Sequence, residues 1–429
     1  MNLQASVLVG TLGISIVAAG CGTDNAMPSG GGAGGFAGAD ASAGACGTGG
    51  SAGVAGGSGG TAGAAGVAGA AGSAGSAGAA GDAGASGQFG TGTHVAPQYL
   101  ADVDGAGATP PAPASGITAA CPGDCATDAT SCLQSAANDA RDQDKALVIP
   151  APSGTCYLIT ASVQVATSVV GIGYPLIQVQ GATGDSDHAA FRVRSPNGAA
   201  LWITGLRIDG GWDPTGMSAP GGEWSHGLNI VDSSNITIQD NEIRNTAGDS
   251  VYLGSNGTGE SNIVINGNSF VNAYRCNIAF IHADGVTVTN NVITKLNTYV
   301  GAIDFEPNHP DTGERVYNVE LAGNDMSMPN GKPSDGCTNA CTDFAVGASC
   351  SPNQGTPHGG SFFIHDNLVP AYAAANVTDG AGPGFASNNS STWSGACASQ
   401  WQTGTHPKGA GFYVWNNPPG SGTTNGNAP

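Results

Sequence analysis

Asp304 and Glu306 stand two residues apart in Ile303-Asp304-Phe305-Glu306. On an extended strand, residues so spaced share a face with Cα atoms about 6.5–7 Å apart. Paired carboxyl groups about 5–10 Å apart are the equipment of acid-assisted glycoside cleavage, one giving a proton to the departing oxygen while the other activates water or attacks the sugar carbon. The two are therefore the candidate acid and base. Two plainer readings stand beside this one: Glu306-Pro307-Asn308 as the end of a strand, and the carboxylates as ligands of Ca²⁺.

Other side chains would complete a sugar site. Tyr252 offers a stacking surface, and Trp212 and Trp224 lie with His226 on the Gly- and Pro-rich insertion GGWDPTGMSAPGGEWSHG. Tryptophans on a polar loop either cap a core or stack on sugar rings, and a rim of the site is expected here. Asn229, Asn277 and Asn308 are candidate hydrogen-bonding partners for hydroxyl groups. His226 is either a further polar participant or a structural hydrogen-bonding group at a turn. Arg275 is the base a lyase would need beside a uronate carboxylate. Its plainer reading is a salt bridge to Asp249, and its register, four positions from Asp304, puts it too far along the strand to cooperate directly.

The elements that carry these groups are read from an internal repeat. Ile236-Thr-Ile-Gln-Asp-Asn241-Glu-Ile243, Ile263-Val-Ile-Asn-Gly-Asn268-Ser-Phe270, Val286-Thr-Val-Thr-Asn-Asn291-Val-Ile293 and Val319-Glu-Leu-Ala-Gly-Asn324-Asp-Met326 align without gaps, with looser copies ending at Asn367 and Asn417. Each alternates apolar residues along a strand that ends at Asn. A second strand family lies upstream of each: Leu228–Ile230, Val251–Leu253, Ile278–Phe280 and Ile303–Phe305. Coils of this length stacked in parallel place equivalent residues about 4.8 Å apart, so an inward Asn can bond to its copies above and below. With the apolar residues of the upstream strands inward, Asn229, Ser250, Tyr252, Arg275, Asn277, Ala279, Ala302, Asp304 and Glu306 face solvent. Ala279 then leaves room for a sugar beneath Asp304, with Tyr252 below it.

The rungs HGLNIVDSSNITIQDNEIRNTAGDSVYLG, YRCNIAFIHADGVTVTNNVI and GAIDFEPN resemble the pectate-lyase-like right-handed parallel β-helix superfamily, over roughly Thr130 to Asn417. The amphipathic segment Ser131 to Asp142, followed by Ala146-Leu147-Val148-Ile149-Pro150, is similar to the helix-capped entry of such solenoids. The fold class implied is all-β, with a short N-terminal capping helix. Enzymes of this superfamily bind glycans along the face that carries Asp304. A glycoside hydrolase is therefore expected first, a lyase or epimerase on a uronate polymer second, and a non-catalytic surface glycan-binding or adhesion protein third. Of the polygalacturonase motifs, Ser225-His226-Gly227 matches the Gly-His-Gly only in part and the others are absent, which argues against that specific activity.

Composition bounds the rest. Net charge is −20 with 11 basic residues, which argues against a nucleic-acid partner and disfavours a polyanionic glycan. The expected partner is a polysaccharide bound by a monomer without a cofactor. The apolar run Val7 to Ala19 is too short to span a bilayer and reads as a signal peptide over residues 1–20. Ala18-Ala19-Gly20-Cys21 resembles the lipobox of bacterial lipoproteins, which implies acylation of Cys21 and membrane attachment through that lipid alone, with plain secretion as the alternative. Residues 21–115 read as a disordered Gly/Ala/Ser/Pro-rich linker, of which some 70 residues reach on the order of 45–50 Å. The β-helix domain is expected over 116–429. Cys121, Cys125, Cys132 and Cys156 form one candidate disulfide group, and Cys337, Cys341, Cys350 and Cys397 another; each allows three pairings, and neither shows zinc-type paired spacing.

Overall fold

The structure is a computed structural model. It describes residues 96–180, 189–195, 198–213, 225–254, 259–295, 302–307, 314–326, 346–348, 358–368, 385–387 and 411–415. Cys21, Trp224, Asn308, Asn417 and the second cysteine group lie outside them.

Short strands joined by tight turns wind into a right-handed parallel β-helix with three walls. Among the described residues, wall A has ten strands, running from Ile117–Thr118 through Ser234–Gln239, Glu260–Asn266, Ala283–Thr289, Val316–Ala322 and His358–His365 to Gly411–Trp415. Wall B has seven, from Asp124–Asp128 to Val292–Thr294, and wall C eight, from Val163–Val165 to Phe385–Ser387. Each coil visits C, then A, then B, and the strands pair in parallel with their copies on neighbouring coils, as in Ile236↔Ile263↔Val286↔Val319↔Phe362.

Inward positions stack apolar on apolar. Leu228, Val251, Ile278, Ile303 and Val346 form one column of wall C, and Phe280 meets Phe305 at 5.0 Å between ring centroids. Fully burying such a side chain stabilises by about 1.5–3 kcal/mol.

The asparagine column forms at the corner between walls A and B. Asn241 Nδ2 donates to Asn268 Oδ1 at 3.0 Å, Asn268 to Asn291 at 3.0 Å, Asn291 to Asn324 at 2.9 Å and Asn324 to Asn367 at 2.8 Å. Each amide also donates to a backbone carbonyl one coil below, so these buried groups are satisfied. The residue before each ladder Asn is Asp240, Gly267, Asn290, Gly323 or Asp366, all with positive φ. Gly, Asn and Asp are the types that tolerate this left-handed turn, which swings the chain from wall A to wall B within two residues. Ile243, Phe270 and Ile293, which continue the repeated segments in sequence, therefore belong to strands of wall B.

The helix Thr130–Asp142 buries Leu133, Ala137 and Ala140 over the first coils. Disulfide Cys121–Cys132 ties this cap to the segment leading into wall B, and Cys125–Cys156 joins the first two strands of wall B, one pairing out of the three open to the group. Part of the segment expected as linker is among the described residues. Residues 96–115 are described, and 98–106 bond to the outer face of wall A, because Glu320, Asn262 and Thr237 offer acceptors to the strap's backbone N–H groups.

Candidate functional site

Wall C sets the outward column that the strand spacing implies. Arg192 is opposite Asn229, Asn229 opposite Tyr252, Tyr252 opposite Ala279, Ala279 opposite Asp304, and Asp304 opposite Gly347. Their exposure differs from expectation. Asp304 is 1% exposed, Asn229 7%, and Ser250, Asn277, Ala279 and Ala302 are buried; Tyr252, Arg275 and Glu306 keep partial access. An outward direction on a strand means solvent only if nothing packs on it, and here side chains from the turns fold across the wall. One of them is His226, 3% exposed, whose ring stacks on Tyr252 with centroids 4.5 Å apart and planes at 19°. One face of the expected sugar platform is thus already covered.

Arg275 is the centre of the polar network. Its Nη2 donates to Glu306 Oε2 at 3.0 Å, and its Nε lies 3.8 Å from Asp249 Oδ1. The Asp249 contact is the one read from sequence. The Glu306 contact was not read from sequence: the long Arg275 side chain, leaving from the turn before Ile278–Phe280, rises to the next coil.

Asp249 is fully buried and accepts from the Cys276 N–H at 2.8 Å. Its Oδ2 lies 3.2 Å from His226 Nδ1, which also faces the Asp249 N–H at 2.9 Å. That nitrogen accepts from the backbone when unprotonated and donates to the carboxylate when protonated, so the two contacts belong to different protonation states. Burial pushes the Asp249 carboxyl up, but the Arg275 guanidinium, His226 and the Cys276 N–H outweigh it and hold it below the ordinary range. Burial likewise opposes the charge on Arg275, and Asp249 and Glu306 together overcome it, so the proton is held more firmly than usual.

Sequence reasoning missed three members. Lys295, fully buried at the end of Val292–Thr294, donates from Nζ to the Arg275 carbonyl. Burial pulls its amine down to about 8, against the opposing pull of Cys276, Asp249 and Asp304. Cys276 is a buried free thiol pushed well above its ordinary value by burial, then by Asp304 and Asp249. Arg192 shares the outward column but lies below the insertion that breaks the repeat period, which hides its register. Nothing in a linear pattern announces Lys295, because its neighbours come from other coils.

Trp212 also departs from expectation. It packs with Ala247 and Tyr274, ring centroids 5.4 Å from Tyr274, in a buried stack along the turns between walls B and C. Among the described residues no cluster of three or more His, Cys, Asp or Glu side chains is arranged to hold a metal ion, and no helix is long and apolar enough to cross a membrane.

Residues 186–302 match the family model for the right-handed β-helix region. This is the stretch that holds the walls around Asn229, Tyr252, Arg275 and the first ladder positions. No curated protein matches the chain. Among solved structures, an exopolygalacturonase from Thermotoga maritima is 12% identical over 58% of this chain and 70% of its own, with TM-score 0.38. The catalytic domain of a GH87 alpha-1,3-glucanase is 14% identical over 61% of this chain and 47% of its own, TM-score 0.35. The surface adhesin PfbA of Streptococcus pneumoniae is 12% identical over 59% of this chain and 80% of its own, TM-score 0.33. The chain spans 59%, 47% and 44% of three of the solved chains it matches, about half their length.

Proposed function

We propose that wall C is the working face of an exported, polysaccharide-active β-helix that binds a glycan along the stack and cleaves it by acid-assisted hydrolysis. The observation that carries this reading is the register Asn229, Tyr252, Ala279, Asp304, with Glu306 fixed beside it by Arg275. A polar group, an aromatic ring, a small side chain and a carboxyl follow one another at the strand spacing of about 4.8 Å. Asp304 takes the acid role. Glu306, accepting from a guanidinium and partly accessible, takes the base role at the mouth of the site. Arg275 positions Glu306, while Asn229 and Asn277, whose buried Oδ1 atoms lack hydrogen-bond partners, are the candidate acceptors for sugar hydroxyls. Pairing of cysteines near the cap fits the oxidising compartment of an exported protein.

The lyase reading asks Arg275 to serve as a base, and an arginine between two carboxylates is held in its charged form. The hydrolase reading asks nothing of it but position.

The test uses the purified full chain on a panel of neutral and acidic polysaccharides, read for new reducing ends. Asp304→Asn and Glu306→Gln are each expected to lower the rate by about 10²–10⁴-fold. Unchanged rates in both variants overturn the assignment. Retention of glycan by the wild-type protein without any new reducing ends would leave a binding protein in place of an enzyme.

A further inference from the structure

The outer face of wall A carries a second column of outward residues: Thr237, Val264, Thr287, Glu320 and Phe363, each in register with the next. A solvent-facing column of this kind is ordinarily wet. Here Thr237, Thr287, Glu320 and Phe363 are all buried, because the segment 98–106 runs across the rungs and covers them.

The two ends of that segment are held differently. At the upper coils one carboxylate takes three consecutive backbone donors: Gln98 N–H to Glu320 Oε1 at 2.6 Å, and Tyr99 and Leu100 N–H to Oε2 at 3.0 and 2.7 Å. The Tyr99 ring stacks on Phe363 at 4.6 Å and meets His365 edge-on at 5.5 Å. At the lower coils the wall offers only neutral acceptors, and the charged group is the strap's own Asp104, whose Oδ1 accepts from Asn262 Nδ2 at 3.1 Å. Asn262 Oδ1 accepts from the Asp104 and Gly105 N–H groups, both at 3.0 Å, and Thr237 Oγ1 accepts from Ala106 N–H at 2.9 Å. Gly105 has φ of +57°, and a Cβ there would meet Thr237 Oγ1 at 2.5 Å, so the strap approaches the wall as closely as glycine permits.

We propose that wall A carries a peptide-docking groove whose occupant is this chain's own segment 98–106, and that Glu320 is its acid-sensitive clasp: the strap is held while Glu320 is ionised and released when it takes up a proton. A carboxylate accepts from several N–H groups at once, and a protonated carboxyl gives up part of that capacity and presents a donor instead. The groups that face Glu320 are few. His365, from the neighbouring strand, places Nε2 3.1 Å from Glu320 Oε1 and Nδ1 2.8 Å from Asp366 Oδ2. The strap contributes Tyr99, whose phenol is pushed up by burial and then by Glu320 and Asp366, and the strand below contributes the neutral Thr287. Burial pushes the Glu320 carboxyl up, yet the His365 contact and the three strap N–H groups outweigh it and hold it below the ordinary value of 4.5. With a depressed folded value, the clasp is fully present above about pH 4.5 and is lost as the pH falls through the lower folded value. Release therefore needs more acid than an ordinary glutamate does.

Chymotrypsin cleavage after Tyr99 in the full chain at pH 7.5, followed by mass spectrometry, reads the clasp at neutral pH. Wild type is expected to resist. Glu320→Gln, which removes the charge and keeps the shape, is expected to be cut about tenfold faster or more with the β-sheet circular dichroism unchanged. Hydrogen exchange reads the acid arm in the wild-type protein and needs no variant: as the pH is lowered stepwise below 4.5, the amides of 98–100, corrected for intrinsic rate, are expected to lose protection before those of Asn241, Asn268 and Asn291 do. The proposal is overturned if Tyr99 stays protected in folded Glu320→Gln, or if strap and ladder amides lose protection together in acid. Should Glu320→Gln fail to fold, the acid arm alone decides.

Discussion

Lys295 shows how a residue without a visible role in sequence becomes a reporter of the site. Its amine is buried, donates to the Arg275 carbonyl and sits near Asp249, Asp304 and Cys276. With the folded value pulled to about 8 from an ordinary 10.5, the unfolded chain keeps between those values a proton that the folded chain has lost. Stability therefore rises with pH through that window and is flat below it as far as this group is concerned. Thermal unfolding of the wild-type protein from pH 7.5 to 9.5 is expected to show that rise, and Lys295→Met to flatten it. A rise of equal size in Lys295→Met would assign it to another group. The same buried lysine holds the backbone from which Arg275 reaches Glu306, so it is a positioning residue for the acidic pair and not a member of it.

The element that repeats is a strand, a left-handed turn and an asparagine. Toward the coil below, Asn268 accepts from the Asn241 N–H and side-chain amide and donates to the Ile238 carbonyl; toward the coil above it donates to Asn291. Asn268→Ala removes those partners together. Each buried group left without one costs about 1–3 kcal/mol, so a loss of several kcal/mol is expected in urea unfolding, more than for a half-buried Asn such as Asn138. A loss under about 1 kcal/mol, the net size of one ordinary hydrogen bond, would mean that the column is not structural. The turn explains why this element was legible: the Asp-Asn, Gly-Asn and Asn-Asn pairs before Glu242–Arg244, Ser269–Val271 and Val292–Thr294 mark where a left-handed residue is tolerated.

At the scale of the whole molecule the stack is quasi-one-dimensional, each coil supported by its neighbours, so its ends need protection. The first coils are covered by the Thr130–Asp142 helix and stapled by Cys121–Cys132 and Cys125–Cys156. Replacing both cysteines of the Cys125–Cys156 bridge, which closes a separation of 31 residues, with serine is expected to cost about 2–4 kcal/mol. Loss of protection concentrated in the cap and first coils, followed by hydrogen exchange, checks that the bridge acts there; a uniform loss along the stack would argue against local unfolding from that end. The strap on wall A adds a tie across the rungs, which no contact within one coil can supply.

The sequence by itself determined the coil. Alternating apolar residues, an asparagine at fixed register and a tolerant residue before it specify strand, corner and inward face, because those preferences act within a few residues. It also determined which residues follow one another up wall C, since that follows from the repeat length. Only the tertiary structure decided which of them stay wet. That Asp304 is buried, that His226 lies on Tyr252, that Arg275 reaches Glu306, and that residues 98–106 close over Glu320 all depend on side chains and segments meeting across coils or from outside the repeat. Proximity of that kind is set by packing, for which spacing along the chain carries no signal.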